Sequence, residues 1–208
     1  MTGLIKKDLM LVFSSTWEKI FLIFYIPLML FVIEASQTEW LYFILISSYS
    51  YLLCITSFTY DVKGNTDRMI NSLPVSRKEV VLCRYMELII YFIFSIIYVG
   101  IYLWIINMLG LYNIGYFNIS MIKIAFPTLL ISTAVVFPFY LKFEPRIAQI
   151  AYMAVYMGIF LVASNSAGGN GLFSNLIVGK EISTTVIALI IWIISLILSI
   201  KLYENKDL

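Results

Sequence analysis

The sequence LIIYFIFSIIYVGIYLWIINMLG, residues 88–110, contains no charged side chain. About 20 consecutive apolar residues are enough for an α-helix to cross the hydrocarbon core of a bilayer. These residues are therefore long enough for one membrane span. Gly110 and the polar residues that follow it, up to Asn118, predict the end of that helix and a loop.

The composition of the whole chain is typical of a membrane protein. Of its 208 residues, 62% are hydrophobic and 12% are charged. Soluble domains carry roughly 25% charged residues. Since this chain has too few polar side chains to cover its apolar area in water, lipid must be its solvent.

Six long uncharged runs predict six transmembrane helices. The runs are residues 20–33, 40–60, 88–122, 124–141, 147–179 and 182–200. The third and fifth runs are long enough for two spans, but each contains a stretch that ends a helix, so we count each as one span plus a loop. We predict an all-α integral membrane fold with a single transmembrane domain, residues 1–208.

The basic residues predict the orientation of these spans. If both termini are cytoplasmic, twelve of the fourteen Lys and Arg residues lie on the cytoplasmic side, and only Lys123 and Lys180 lie outside. The positive-inside rule favours this topology over its inverse.

The residues that the chain lacks exclude several classes of protein. There is no histidine, and two cysteines are too few for an iron–sulfur cluster, so we expect no catalytic site, metal or cofactor. No P-loop sequence is present, so the chain does not bind ATP through a P-loop of its own. No acidic or basic residue lies in the middle of a predicted span, which argues against a proton-coupled carrier.

Residues 2–18 predict an amphipathic helix ahead of the first span. Leu9, Phe13 and Trp17 recur at helical spacing, while Lys6 and Lys7 lie mostly on the other side. A basic helix with aromatic residues on its apolar face lies in the plane of the membrane interface. The alternative is a plain lead-in to the first span.

The segment between the second and third spans, residues 61–84, contains signals for a short exposed helix. Gly64 can end the second span, and Pro74 can close a short helix after it. Ser76 and Glu79 have the spacing of a capping box, which predicts the start of the next helix. An ordinary cytoplasmic loop would explain the charges of this segment but not its capping residues.

The sequence SLPVSRKEVV at residues 72–81, followed by Arg84 and Tyr85, resembles a stretch of ABC-2-type transporter permeases. The short N-terminal helix and the six spans are similar to the architecture of that family. The resemblance implies an exporter half-permease that is not itself an enzyme. It would pair with a second permease copy or paralogue, and a separate cytoplasmic ATPase would bind the ATP and Mg²⁺.

The resemblance also implies which residues contact the ATPase. The segment 61–84 would be a cytoplasmic coupling loop, with Lys63, Asp67, Arg68, Met69, Ile70, Leu73 and Pro74 at the ATPase surface. Lys6 and Lys7 of the N-terminal helix would form a second contact. Within the family, the length and compact loops are most similar to permeases of the phenol-soluble-modulin peptide exporter. This implies an amphipathic peptide substrate and the bacterial plasma membrane.

Two polar stripes are candidates for the wall of a transport pathway, because related exporters use the second and fifth spans at their dimer interface. The candidates are Ser50, Cys54 and Ser57 in the second span, and Gln149, Tyr152 and Tyr156 in the fifth. Small residues in membrane helices most often mediate close packing, and this alternative stays open for the second span.

The outer segment 165–181 is predicted either as a re-entrant or interfacial element that caps the pathway or as a loop that follows the membrane surface. Two other functions stay open for the whole chain: a substrate-capturing membrane subunit of an importer, and a membrane protein that confers immunity to a peptide. Lipid is an expected partner, and nucleic acid is not.

Overall fold

The computed structural model describes residues 2–12, 16–32, 38–63, 76–110, 116–142, 145–167 and 181–205. These residues contain seven helices. The helices are α1 (Thr2–Val12), α2 (Thr16–Val32), α3 (Thr38–Lys63), α4 (Arg77–Met108), α5 (Ile119–Lys142), α6 (Pro145–Ala167) and α7 (Glu181–Glu204). The prediction of an all-helical fold is confirmed.

Among the described residues, four segments are long and apolar enough to cross a membrane. They are Leu41–Phe58 in α3, Arg77–Met108 in α4, Ile119–Lys142 in α5 and Thr184–Glu204 in α7. The helices α2 and α6 occupy the first and fifth predicted spans but are not among these four. The count of six spans therefore stays a prediction.

The helix α3 lies at the centre of the bundle. It contacts α1, α2, α4, α5 and α6, and residues 41–50 within it are all buried. The helix α5 packs against α3, α6 and α7, while α4 packs against α1, α3 and α7. The outer face of α7 leaves Ile187, Ile194 and Ile197 exposed, as expected of a helix whose outer face meets lipid.

Local chemistry explains both ends of α4. Ser76 Oγ accepts a hydrogen bond from the main-chain N–H of Glu79, and Glu79 Oε2 accepts one from the N–H of Ser76 at 3.1 Å. The predicted capping box is confirmed. At the other end, Gly110 has a φ of 67°, a left-handed conformation that glycine adopts without a steric penalty.

The described ends of the predicted coupling segment, residues 61–84, are helical. Residues 61–63 extend α3, and residues 77–84 form the first two turns of α4. Residues 64–75, which we call the α3–α4 loop, lie outside the described residues.

The two other non-spanning segments are described in part. The helix α1 ends at Val12, and residues 16–18 of the predicted interfacial helix begin α2 instead. In the outer segment, residues 165–167 belong to α6, and residues 168–180 lie outside the described residues.

Candidate functional site

Several polar contacts join the N-terminal part of α4, residues 76–91, to neighbouring helices, and we call this part the base of α4. This base directly follows the α3–α4 loop. Lys63 is the last residue of α3, and the other predicted coupling residues lie outside the described ranges: Asp67, Arg68, Met69, Ile70, Leu73 and Pro74. The structure therefore describes the residues at both ends of this segment but not those predicted to contact an ATPase.

Arg77 ties the base of α4 to the end of α7. Its Nη1 donates to the main-chain carbonyl of Glu204 at 2.7 Å and lies 3.4 Å from the carbonyl of Tyr203. Lys78 Nζ lies 3.7 Å from Glu204 Oε1. The last carbonyls of a helix lack helical donors and carry partial negative charge, so a guanidinium both satisfies and stabilises them.

Tyr85 joins α4 to α5 and α7. Its hydroxyl lies 2.8 Å from both Ser195 Oγ and Ser199 Oγ. Its ring packs edge-on against Phe137 at 4.9 Å and against Trp192 at 5.2 Å between ring centroids. Tyr85 is fully buried and cannot reach water, so the two serine hydroxyls are the hydrogen-bond partners of its own hydroxyl.

Buried charges tie the base of α4 to α1. Arg84 Nη1 donates to Asp8 Oδ2 at 2.7 Å and to Glu87 Oε2 at 3.1 Å. The guanidinium carbon lies 5.2 Å from the ring centroid of Phe58 on α3, a cation–π contact. We call Asp8, Arg84 and Glu87 the ion cluster.

The two lysines predicted as a second ATPase contact differ in their surroundings. Lys6 is exposed, whereas Lys7 is half-buried and its Nζ lies 3.2 Å from Asp8 Oδ1. Of the two, Lys6 is the better placed to reach another protein.

The predicted stripe of the second span faces α4. The Ser50 hydroxyl contacts the Ser95 hydroxyl, and Ser57 Oγ lies 2.8 Å from Tyr91 OH. Ser50, Cys54 and Ser57 are all buried. Within a single chain this stripe therefore packs two helices together, and its role in a pathway stays a prediction.

The predicted stripe of the fifth span meets a tyrosine of α3. Tyr51 stacks on Tyr152 at 4.7 Å and on Tyr156 at 5.9 Å between ring centroids. Its hydroxyl donates to the main-chain carbonyl of Tyr152 at 3.1 Å, and the hydroxyls of Tyr25 and Tyr156 lie 2.7 Å apart. We call Tyr25, Tyr51, Tyr152 and Tyr156 the tyrosine stack, which joins α2, α3 and α6. Gln149 lies on α6, and its side chain is outside the described part.

Sequence reasoning did not select Asp8, Glu87, Tyr51 or Tyr85 as site residues. One feature of the sequence could have pointed to Asp8: it is the single acidic residue in the first twelve positions, and it follows two lysines. Among the described residues, no group of three or more His, Cys, Asp or Glu side chains is placed to hold a metal ion.

The described helices form an apolar bundle with buried polar contacts, as expected of a multi-pass membrane protein. The family described as "ABC-2 family transporter protein" matches residues 3–204. The chain therefore belongs to the ABC-2 transporter family, and the resemblance seen at residues 72–85 is confirmed at that level. No curated protein and no solved structure matches the chain.

Membership of this family makes the chain a permease-type subunit of an ABC transporter, a membrane transport component, which is consistent with the expectation that it is not itself an enzyme. The family also implies an ABC ATPase as a partner. The kinship with phenol-soluble-modulin exporters is narrower than the family match and is not supported by it.

Proposed function

We propose that this chain is one half of the permease of an ATP-driven exporter, powered by a separate cytoplasmic ATPase, and that it exports amphipathic peptides. The observation that carries the coupling role is the set of buried polar contacts at the base of α4, the helix that follows the predicted coupling residues in the chain. These contacts link α4 to α1, α3 and α7. A displacement of the base of α4 would therefore move several helices together.

The contacts at the base of α4 support a topology with both termini on one side. Asp8 near the N-terminus contacts Arg84, and Glu204 near the C-terminus contacts Arg77. Basic residues concentrate at this end of the bundle, so the positive-inside rule makes it cytoplasmic. With α2 and α6 as the first and fifth spans, the chain would cross the bacterial plasma membrane six times.

The outer face of α6 supports a second permease subunit, either a copy or a paralogue. Ala154 is exposed, and a Cβ added to Gly158 would meet no atom within 4 Å. This pair has the small-xxx-small spacing that lets two membrane helices approach closely. Met153 and Met157, also exposed, flank the pair.

The tyrosine stack supports a role of α6 in the pathway. Tyr152 and Tyr156 are half-buried and lie on the same helix as the Ala154–Gly158 pair. The helix α6 would then lie both at the subunit interface and along the pathway. Its tyrosine rings and hydroxyls could contact a substrate that is part apolar and part polar.

The experiment that tests the coupling role is purification of the tagged chain from native membranes in mild detergent, followed by mass spectrometry. We expect a P-loop ATPase in stoichiometric amount, together with a second permease subunit. Replacement of Arg68 and Met69 by Ala removes the proposed loop contact, so the ATPase should be lost. Lys123→Ala, on the opposite side of the membrane, is the matched control.

Other outcomes of this experiment support the alternatives. A chain that purifies alone or with a bound small molecule would indicate a capture subunit. A chain that purifies with a peptide and no ATPase would indicate an immunity protein. ATPase retention in the Arg68/Met69 variant would contradict the assignment of the α3–α4 loop.

A further inference from the structure

The ion cluster holds three charged side chains away from solvent where α1 meets the bundle. Asp8 is 2% exposed, Arg84 5% and Glu87 3%. One nitrogen, Arg84 Nη1, serves both carboxylates, and Lys7 Nζ approaches the second oxygen of Asp8. Of the four side chains, Asp8 and Glu87 are acidic, and Lys7 and Arg84 are basic.

Stability alone does not account for such a cluster. Removing charges from water is costly, and well-packed apolar residues of similar volume often stabilise a protein as well or better. What charged hydrogen bonds add is direction, because they require a fixed donor–acceptor geometry. Apolar contacts are non-directional and would let a surface helix slide or rotate.

The surroundings of the ion cluster determine which face α1 presents. Leu9 packs against the core, while Lys6 and Met10 are exposed. Phe58 of α3 holds the guanidinium of Arg84 from the side of the bundle. A rotation of α1 about its axis would break the contact of Asp8 with Arg84, so this contact fixes the rotation.

We propose that the ion cluster is a tether that holds α1 in one orientation against the base of α4, so that α1 and α4 move as one unit. A role of this joint motion in coupling rests on the proposed function, because a common ATPase partner would drive it. The tether itself concerns the chain alone. Asp8, Arg84 and Glu87 are positioning residues in this scheme.

The tether is tested by the distance between α1 and α4 in the isolated chain. Nitroxide labels are placed at two exposed sites, Met10→Cys and Met86→Cys, in a chain whose Cys54 and Cys83 are replaced by Ala. Electron paramagnetic resonance in lipid nanodiscs then measures the distribution of distances. We expect one narrow peak in the parent chain and its loss in Asp8→Leu, which replaces the carboxyl group by an apolar side chain of similar size.

Two further variants separate the tether from general loss of structure. Lys78→Gln removes an exposed ion pair from the same base of α4 and should keep the narrow peak. The combined exchange Asp8→Arg with Arg84→Asp restores opposite charges and should recover the peak. A narrow peak in Asp8→Leu, or a broad distribution in the exchanged chain, would overturn the proposal.

Failure of the tether and failure of the proposed function give different results. If the peak is lost in Asp8→Leu and no ATPase purifies with the parent chain, the tether stands and the coupling role falls. If an ATPase purifies with the parent chain and the peak is unchanged in Asp8→Leu, the coupling role stands and the tether falls.

Discussion

The hydroxyl of Ser195 on α7 donates a 2.6 Å hydrogen bond to the main-chain carbonyl of Ala134 on α5. In an uninterrupted helix this carbonyl would accept from residue 138, but Pro138 has no N–H. No water in the hydrocarbon core can replace the lost donor. Ser195 therefore supplies it from the neighbouring helix, and the proline of α5 becomes a contact between helices.

The hydroxyl of Ser195 has one proton, which it donates to the carbonyl of Ala134. This determines which group is the donor in each of the linked hydroxyl hydrogen bonds. Tyr85 must donate to Ser195, and Ser199 must donate to Tyr85. Three helices thus share one directed chain of hydrogen bonds that ends on a main-chain carbonyl.

We expect Ser195→Ala to lower the free energy of unfolding by about 1–2 kcal/mol, because it leaves the Ala134 carbonyl without a donor. Pro138→Ala restores the helical donor, so the same Ser195→Ala change should cost less in a Pro138→Ala background. Denaturation in detergent measures the free energy of unfolding of the parent, the two single variants and the double variant. Equal losses in both backgrounds would contradict the pairing, and Ser120→Ala at an exposed position is the control.

Tyr85→Phe should also destabilise the protein by about 1–2 kcal/mol, since it deletes the hydroxyl between Ser195 and Ser199 while keeping the ring. Because the ring contacts with Phe137 and Trp192 remain, the far-ultraviolet circular dichroism should be unchanged. Thermal unfolding in detergent tests this, with Tyr116→Phe on an exposed residue as the matched change. Equal midpoints for the two variants would argue against the hydroxyl chain.

Gly100→Ala should destabilise the packing between α4 and the segment that precedes α5. A Cβ at position 100 would lie 2.4 Å from the ring of Phe117, closer than carbon atoms approach. Overpacking of this kind costs about 1–3 kcal/mol. Phe117→Ala removes the ring, so the double variant should recover part of the loss in a thermal unfolding experiment. An unaffected Gly100→Ala chain would show that the ring moves aside freely.

Tyr152→Ala and Tyr156→Ala should each lower peptide export while leaving assembly with the ATPase intact. Loss of a ring removes its buried area as well as a stacking contribution of about 0.5–1.5 kcal/mol, so thermal unfolding of each variant is measured beside its export. Tyr156→Phe separates the hydroxyl from the ring, because it removes only the hydroxyl contact with Tyr25 and keeps the stack on Tyr51. Uptake of a fluorescent amphipathic peptide into inverted vesicles is the measurement. Unchanged uptake in both Ala variants would remove α6 from the pathway.

The helices could be predicted from the sequence because their signals are local. The uncharged runs place α2 to α7 in order, and the capping box at Ser76 and the glycine at position 110 mark the ends of α4. Prolines 27, 127 and 138 lie inside helices, as the runs around them indicate.

The contacts between helices could not be predicted, because they join residues far apart in the chain. Asp8 and Arg84 are separated by 76 positions, and Tyr85 and Ser195 by 110. At helical spacing Asp8 falls between Leu4, Ile5 and Val12 on the apolar face of α1, but the sequence alone does not show which basic residue pairs with it there. Its burial depends on α3 and α4, whose packing a local pattern does not encode.

The chain of hydroxyls that begins on α7 also has a consequence for biogenesis. Ribosomes release the helices in order, so α7 enters the bilayer after α4 and α5 are already there. Until then Tyr85 and the Ala134 carbonyl lack the partners that α7 provides. A nascent chain that stalls before α7 exposes these unsatisfied groups within lipid, where quality-control proteases of the membrane can distinguish it from the finished product.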